Sequence, residues 1–273
     1  MLKKRIIFTL LYDSGYFVLS RNFRLQRVGD LDWLQKNYNF SHIAFFIDEL
    51  IVLDVTRGTR DVELFSETLK KLAAGCFVPI AAGGGIRDVE QARRLLNSGA
   101  DKIVINTPLF ENVELVEELK KVFGQQCIVG SVDMKLKSED SYQIMTDMGA
   151  KPIDKKPIEI FERLNEQLVG ELYLNSIDRD GTGQGYDLSL LDELPTDFSV
   201  PVILAGGVGN GAHFSVGFEE PRVDAVATAH LFNFIGDGLQ RARESMIQGG
   251  AQLAVWPHLS DIELNLNGGK LSA

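Results

Sequence analysis

The stretch Pro79-Ile-Ala-Ala-Gly-Gly-Gly-Ile86 decides the fold of this chain. Its apolar run ends in three glycines, a helical segment follows at Val89–Leu96, and a second apolar run ends at Ile105-Asn-Thr107. This order predicts a strand–loop–helix–strand unit of a parallel sheet. Glycines let backbone N–H groups approach an anion, and Asn-Thr adds side-chain donors. The unit therefore predicts a phosphate site between two strand ends, although the glycines alone would also suit a tight turn.

The same unit occurs a second time, at Pro201-Val-Ile-Leu-Ala-Gly-Gly-Val208. The repeat pairs further residues at one constant spacing: Leu11 with Asp133, Glu49 with Glu171, and Gly84 with Gly206. Two halves of about four βα units each make an eight-stranded parallel barrel. We therefore predict a single α/β domain, a (βα)8 TIM barrel built from two half-barrels, over residues 1–256. The tail at 257–273 has no periodicity and is expected to be disordered or foreign to the native chain.

Composition excludes several classes of protein. The chain is 45% hydrophobic and 24% charged, and its net charge of −10 argues against nucleic acid or an anionic membrane as a partner. It begins in an apolar strand rather than a signal peptide, and no apolar run of about 18 residues could span a bilayer. The two cysteines, Cys76 and Cys127, form no disulfide framework or metal pattern. We therefore expect a cytoplasmic protein without a metal or a cofactor.

The remaining elements follow from apolar periodicity and turn residues. Strands are predicted at Arg5–Leu11, Glu49–Val55, Val78–Ala82, Lys102–Ile105, Cys127–Asp133, Glu171–Ser176, Val200–Ala205 and Ala225–Ala229. Helices are predicted at Asp30–Asn39, Val62–Ala74, Val89–Leu96, Asn112–Phe123 with Asn112 as N-cap, Pro157–Val169 and Asp237–Gln248. The segment Lys135–Lys156 is long and polar and alternates at Tyr142-Gln-Ile-Met-Thr146, which predicts a small hairpin lid at the barrel mouth.

Motifs along most of the chain resemble those of one enzyme family. The most specific are Ser176-Ile-Asp-Arg-Asp-Gly-Thr182 and Gly185-Tyr-Asp187; the others are Lys4-Arg-Ile-Ile7, Glu49-Leu-Ile-Val-Leu-Asp54, Gly83-Gly-Gly85, Gly99-Ala-Asp-Lys102 and Ile105-Asn-Thr107. With these motifs, the chain up to about Trp256 resembles the cyclase subunit of imidazole glycerol phosphate synthase. That family is a barrel of two half-barrels, which pairs with a glutaminase subunit and receives ammonia from it. The sister isomerase of histidine biosynthesis matches the longest motif less well.

The resemblance implies two opposed carboxyl groups, at the ends of strands one and five, for acid–base chemistry on both faces of a substrate. Asp133 matches the strand-five aspartate, but Leu11 occupies the strand-one position, and Leu19 occupies a lysine position of the family. Because leucine cannot transfer a proton, we expect the standard cyclase activity to be lost. Asp13 could replace the missing acid, or it could form an ordinary turn. Asp133 could be catalytic or only structural.

The resemblance also implies two phosphate sites, which the chain keeps in part. They are matched by Gly85, Asn106 and Thr107 in the first site and by Gly181, Gly207, Ala229 and His230 in the second. The family has a small hydroxyl residue where this chain has His230. A neutral imidazole there would crowd the site, a protonated one could pair with phosphate, and the side chain could equally be a packed histidine. We expect a phosphorylated small molecule as ligand, bound more readily at the first site.

The opposite end of the barrel keeps another feature of the family, a ring of four charged residues where ammonia enters. Here the ring is Arg5, Glu49, Lys102 and Glu171, at the starts of strands one, two, four and six. Two charges of each sign can satisfy one another inside a barrel, where an unpaired charge is costly. The ring could be an ammonia gate or only a plug, and its retention favours the gate. Asp101 matches the family's docking residue for the glutaminase.

Three functions remain open. The one we favour is a cyclase-like synthase subunit that forms a heterodimer with a glutaminase and supplies ammonia for a sugar amidotransferase of a surface-polysaccharide pathway, because it resembles paralogues found in such pathways. The second is a genuine imidazole glycerol phosphate synthase cyclase subunit of histidine biosynthesis, with Asp13 or a water acting at strand one. The third is a non-catalytic scaffold that activates a glutaminase.

Overall fold

The strands of the protein close into a barrel in the computed structural model, which describes residues 3–37, 43–138, 141–166, 168–230 and 237–254. In chain order the strands in these ranges are β1 (Arg5–Asp13), β2 (Tyr16–Arg21), β3 (Arg24–Gly29), β4 (Glu49–Asp54), β5 (Ile80–Gly83), β6 (Lys102–Ile105), β7 (Ile128–Ser138), β8 (Ser141–Thr146), β9 (Lys151–Pro152), β10 (Glu171–Ser176), β11 (Val202–Ala205) and β12 (Ala225–Thr228). Eight of them run parallel in the order β10, β11, β12, β1, β4, β5, β6, β7, and the pairing of β7 with β10 closes the ring. The predicted (βα)8 TIM barrel is confirmed.

Helices pack against the outside of this barrel. In the described ranges they are α1 (Leu31–Asn37), α2 (Val62–Ala74), α3 (Val89–Asn97), α4 (Pro108–Glu111), α5 (Val113–Phe123), α6 (Pro157–Asn165), α7 (Gly211–Glu219) and α8 (Gly238–Gln248), with 3₁₀ turns at Gln125–Cys127 and Leu188–Glu193. The predicted N-cap Asn112 accepts a hydrogen bond from the N–H of Leu115 at 3.1 Å. Such a bond satisfies one of the donors that a helix start leaves unpaired.

The strands contribute side chains to two hydrophobic cores. Along β1, Phe8 and Leu10 face the larger core between barrel and helices, whereas Ile7 faces the barrel interior. The interior core consists of Ile7, Ile51, Ala81, Val104, Val129, Tyr173, Ile203, Ala205, Ala225 and Ala227. Because inward and outward residues alternate along each strand, the inward ones stack in layers along the barrel axis.

Two hairpins extend barrel strands at the carboxyl end of the barrel. The predicted lid is a hairpin of β7, β8 and β9, apart from residues 139–140, which lie outside the described ranges. β2 and β3 form a second hairpin where the sequence analysis has only a loop. Its turn residues, Asn22 and Phe23, have φ angles of 48° and 62°. Asn22 suits such a turn, but the glycine that usually follows it is missing, so the sequence carries only half of the turn signal.

Other bounds differ from the predicted ones by a few residues. β5 and β11 begin at Ile80 and Val202, two residues after their predicted starts, and α6 ends at Asn165 rather than at Val169. Helix α7 is absent from the predicted elements because its glycines and phenylalanines give no clear amphipathic pattern. The end of the first predicted helix, at 38–39, and the tail at 257–273 lie outside the described residues.

A buried ion pair holds the last helix against the barrel. Arg243 on α8 donates to both carboxylate oxygens of Asp48, at 2.9 and 2.8 Å, and only 4% and 7% of the two side chains are exposed. Asp48 also accepts the backbone N–H of Ile6 on β1 at 2.8 Å. The pair therefore connects α8 with the first barrel strand.

We expect Arg243→Ala to lower the free energy of unfolding by about 3–5 kcal/mol, because the substitution leaves the Asp48 carboxylate buried without its cation. Arg241→Ala is the matched control: Arg241 lies 3.6 Å from Asp237 with both side chains largely exposed, so its loss should cost less than about 1 kcal/mol. Denaturant unfolding followed by circular dichroism measures both values. Equal small losses in the two variants would contradict the expectation.

Candidate active site

A cavity of about 210 Å³ lies at the carboxyl ends of the barrel strands. Its wall includes most of the predicted site residues, namely Asn106, Thr107, Asp133, Gly181, Gly207, Ala229 and His230. At the first glycine loop the wall is formed by Gly84 rather than by the predicted Gly85. Phe23 from one hairpin and Met148 from the other also line the cavity. Residues from both halves of the repeat therefore meet at one site.

The predicted catalytic residue, Asp133, lies on β7 with its side chain toward the cavity. Its Oδ1 accepts a hydrogen bond from the amide of Asn175 at 2.9 Å, and its Oδ2 accepts one from the amide of Asn106 at 3.0 Å. Burial raises the pKa of Asp133 to about 6, although these two hydrogen bonds act to lower it. A carboxyl group with this pKa can hold or release a proton close to neutral pH. Asn175 is not among the residues predicted from the sequence, where its only signal is its inward position on β10.

The strand-one side of the cavity is apolar. Leu11 on β1 pairs in register with Leu53 on β4, and both side chains line the cavity. The alternative acid, Asp13, accepts a hydrogen bond from the hydroxyl of Ser14 at 2.9 Å and lies 3.9 Å from Nη2 of Arg27. The described cavity wall does not include Asp13. The structure therefore brings no acid from β1 to face Asp133.

The first predicted phosphate site is a glycine loop beside polar side chains. Gly84 and Gly85 have φ angles of 116° and 72°, and a Cβ on Gly84 would collide with the carbonyl oxygen of Asp54. Only glycine fits such a position. The Asn106 amide is already committed to Asp133 and to a backbone carbonyl oxygen. Three arginines that were not predicted from the sequence also line the cavity after β4 and β5, namely Arg57, Arg60 and Arg87.

The second predicted phosphate site is partly covered by the β2–β3 hairpin. A Cβ on Gly181 would collide with the carbonyl oxygen of Ser20. The neighbouring Asp180 carboxylate accepts hydrogen bonds from the Ser20 hydroxyl and, at 3.1 Å, from the N–H of Phe23. Burial lowers the pKa of His230, while the charge of Asp180 acts to raise it. Asp180 belongs to the longest sequence motif, but nothing in the sequence indicated that a hairpin would dock on it.

The four predicted ring residues contact one another at the amino ends of the strands. Arg5 lies 2.9 Å from Glu49 and 2.6 Å from Glu171, and Lys102 lies 3.1 Å from Glu49 and 2.7 Å from Glu171. Each cation therefore contacts both carboxylates. Burial acts to raise the pKa of Glu171, but the charges of Arg5 and Lys102 outweigh it and leave that pKa below its usual value. The two positive and two negative charges of the ring therefore neutralise one another.

Between ring and cavity, the described barrel interior is apolar apart from hydroxyl residues, namely Thr9, Tyr173 and Ser131, which is in register with Tyr173. The hydroxyl groups of Thr9 and Tyr173 lie 3.3 Å apart. Burial raises the pKa of Tyr173 above the range in which the phenol could ionise near neutral pH. Both groups are therefore neutral, and the described interior holds no charge between the ring and Asp133.

Asp101 is exposed at the amino end of β6 and supports the neighbouring strand. Its carboxylate accepts the N–H of Ile80 at 2.8 Å. Asp224 makes the equivalent bond to the N–H of Val202 at 2.9 Å in the second half of the chain. Asp101 therefore makes a structural contact that recurs in the second half of the chain. Its docking role stays a prediction.

A family model described as "Histidine biosynthesis protein" matches residues 34–236, and the chain belongs to this family. The chain is also 47% identical, over 261 residues, to a protein of Parasynechococcus marenigrum (strain WH8102) named "Putative imidazole glycerol phosphate synthase subunit hisF2". The matched region covers 95% of this chain and 97% of that relative. The predicted resemblance to the cyclase-subunit family is confirmed.

No group of three or more His, Cys, Asp or Glu side chains in the described ranges could hold a metal ion. Within the same ranges, no helix is long and apolar enough to cross a membrane. Cys76 and Cys127 are free thiols, and burial raises the pKa of both. Neither thiol therefore has the lowered pKa of a reactive nucleophile.

We expect the buried Asp133 carboxyl group to make stability depend on pH. Its pKa is 3.8 in an exposed reference state and about 6 in the fold, so the native state keeps a proton that the unfolded chain has released over this range. The free energy of unfolding, relative to that of Asp133→Asn, should therefore fall as pH rises from about 4 to about 6 and then level off. Denaturant unfolding of both proteins between these pH values and pH 8 measures the difference. A difference that is constant with pH would contradict the raised pKa.

Proposed function

We propose that this chain is a cyclase-like synthase subunit of a glutamine amidotransferase complex in the cytoplasm. A glutaminase partner binds the end of the barrel that carries the charged ring, and its ammonia passes through the interior to a phosphorylated small molecule at the cavity. The observation that carries the proposal is the order of layers along one axis: a ring of paired charges, an apolar interior, and a cavity that contains Asp133. The name of the 47% identical relative, a synthase subunit, supports a partner chain.

The ring geometry supports a gate as well as a plug. Because Arg5 and Lys102 each contact both Glu49 and Glu171, one contact can open while every charge keeps a partner. Opening one contact of the ring therefore costs less free energy than separating a buried ion from its only counter-ion. Beyond the ring, the apolar interior admits a neutral ammonia molecule at a lower cost than an ammonium ion. Asp101, exposed near this end, is the proposed docking residue.

The proposed acceptor differs from that of a standard cyclase. Leu11 and Leu53 form an apolar surface where acid–base chemistry across the substrate would need a second proton carrier. We extend the proposal to a sugar amidotransferase of a surface-polysaccharide pathway, such as lipopolysaccharide synthesis, as the destination of the ammonia. This extension rests on analogy with paralogues.

The second candidate is a genuine cyclase subunit of imidazole glycerol phosphate synthase. Two observations favour it: the name of the relative, and the Asp133 carboxyl group with a pKa of about 6 beside the cavity. In this case a water molecule takes the part of the strand-one acid, because Asp13 is bound to Ser14 and lies near Arg27.

We expect the purified chain, given ammonium salt and the phosphoribulosyl formimino nucleotide, to turn over about a hundred- to ten-thousandfold more slowly than a cyclase with both acids, since one member of the acid–base pair is missing. Leu11→Asp combined with Leu19→Lys should restore part of the rate, whereas Leu19→Lys alone should not. The measurement is product formation in steady state. Turnover by the unaltered chain at the rate of a normal cyclase would establish the second candidate instead.

We also expect the ring to control ammonia transfer. Lys102→Ala leaves Glu49 and Glu171 with Arg5 as their only cation, which should disturb the passage. Glutamine hydrolysis should continue while more of its ammonia escapes to solvent. The measurement is the ratio of free ammonia to aminated product in the assembled complex with its acceptor enzyme.

The control for this experiment is Lys151→Ala, because Lys151 pairs with Glu111 on the surface, where both side chains are largely exposed. That variant should leave the ratio unchanged. If single alanine variants at all four ring positions also leave this ratio unchanged, the ring is a structural plug and the proposed ammonia path is wrong.

A further inference from the structure

The two halves of the cavity carry opposite charges, although the repeat relates their backbones. The first half contributes Arg57, Arg60 and Arg87 to the wall. At the repeat spacing, Thr182 stands in the place of Arg60, and Gly209 stands in the place of Arg87. The duplicated architecture therefore requires no cations at positions 60 and 87, and the counterpart of Arg57, Arg179, is not part of the described cavity wall.

Arg60 lies directly against the first glycine loop. A Cβ on Gly85 would stand 3.0 Å from Nη1 and 3.1 Å from Nε of Arg60. Nε is buried and has no hydrogen-bond partner among the described residues, and the nearest carboxylate oxygen, on Asp54, is 3.8 Å away. A buried N–H of a charged group without a partner is costly, and an anion accepted by the guanidinium would remove that cost.

Arg57 and Arg87 complete the cationic side of the cavity. Nη2 of Arg57 donates to the carbonyl oxygen of Phe23 at 2.7 Å, and Nη1 of Arg87 donates to that of Ile86 at 3.0 Å. These contacts hold each guanidinium in place by one of its five donors and leave others for a ligand. The three arginines follow β4 and β5, and Thr107 follows the next strand, β6. All four residues therefore line the cavity at three adjacent strand ends.

The charge of this cluster matches one phosphate group. Three guanidinium groups and the Asp54 carboxylate leave two net positive charges. A phosphate monoester carries a charge of about −1.5 to −2 at neutral pH. One phosphomonoester would therefore neutralise the cluster, and planar guanidinium groups are suited to paired hydrogen bonds with phosphate oxygens.

The second half of the cavity presents acceptors where a second phosphate would have to bind. The Asp180 carboxylate lines the wall beside His230, held by Ser20 and by the N–H of Phe23. The carbonyl oxygen of Ser20 lies against Gly181. Carboxylate and carbonyl oxygens repel a phosphate and attract hydroxyl or amide hydrogens. His230 can serve the same groups as a donor or an acceptor.

We propose that the cavity binds a phosphomonoester in one orientation, with its phosphate between Arg57, Arg60 and Arg87 and with an uncharged end, rich in hydroxyl or amide groups, beside Asp180 and His230. This deepens the proposed function and rests on its assignment of a phosphorylated ligand to the cavity. The described wall of the second half carries no arginine or lysine for a second phosphate, so a bisphosphate, such as the phosphoribulosyl formimino nucleotide, should gain no affinity from it.

Isothermal titration calorimetry of the full chain tests the proposal. Inorganic phosphate should bind with a stoichiometry of one, and ribose 5-phosphate should bind at least as tightly as ribulose 1,5-bisphosphate. Arg60→Gln should weaken phosphate and ribose 5-phosphate by at least about tenfold, the effect of losing one charged hydrogen bond. Arg87→Gln, at a more exposed position, should also weaken them and is less able to disturb folding.

The matched control is Arg179→Gln. Arg179 holds the place of Arg57 in the second half, is not part of the described cavity wall, and donates to Gln184 at 3.2 Å. The Arg179→Gln variant should leave the affinities for phosphate and ribose 5-phosphate unchanged.

Four results would each overturn the proposal. They are a stoichiometry of two, a bisphosphate that binds at least tenfold more tightly than the monophosphate, no binding of phosphate, and affinities insensitive to both Arg60→Gln and Arg87→Gln. The ammonia path is tested separately, by the ratio of free ammonia to aminated product in the ring variants. Those variants should bind phosphate normally whether or not the ammonia path exists.

Discussion

The pairing of β7 with β10 closes the barrel, and the positions of all candidate functional groups depend on that closure. In a closed barrel, every inward side chain stands at a defined level along one axis. β10 shows the result, because alternate residues of this one strand reach three levels: Glu171 in the charged ring, Tyr173 in the interior, and Asn175 against Asp133. An open sheet would place the same residues on one face without directing them to a common axis.

Buried charge is handled differently at the two ends of this axis. At the ring, Glu171 lies between two cations, and its pKa is lowered despite burial. At the cavity, the side chains that bind the Asp133 carboxylate are the amides of Asn106 and Asn175, which offer hydrogen bonds but no charge. Burial therefore outweighs these hydrogen bonds and raises the pKa of Asp133 to about 6. The Glu171 carboxylate therefore stays an ionised partner of fixed cations, although burial raises the pKa of Glu49 in the same ring, and Asp133 can exchange a proton.

The β2–β3 hairpin contributes to the difference between the two halves of the cavity. The turn of the β2–β3 hairpin docks on the second half, where Ser20 and Phe23 bind Asp180. Arg57, from the first half, holds the same turn by its bond to the carbonyl oxygen of Phe23. One hairpin thus closes the second glycine loop and orients a cation of the first. The internal repeat supplied two similar backbones; arginine side chains make the first half cationic, and the hairpin contacts to Asp180 make the second rich in acceptors.

The sequence by itself determined the barrel, its two halves, the ring residues and the position of Asp133. The barrel and its halves follow from local signals, since strand alternation and glycine-terminated apolar runs are properties of neighbouring residues, and the repeat sets their order. The ring residues and Asp133 were identified from motifs that the chain shares with the family. Only the tertiary structure decided that Arg60 lies against Gly85, that Asn175 binds Asp133, that Asp13 is directed to Ser14 and Arg27, and that the turn at Asn22 and Phe23 covers Asp180. Most of these contacts join residues far apart in the chain, through loops without periodicity. Their geometry comes from packing after the barrel has closed, which no local pattern encodes.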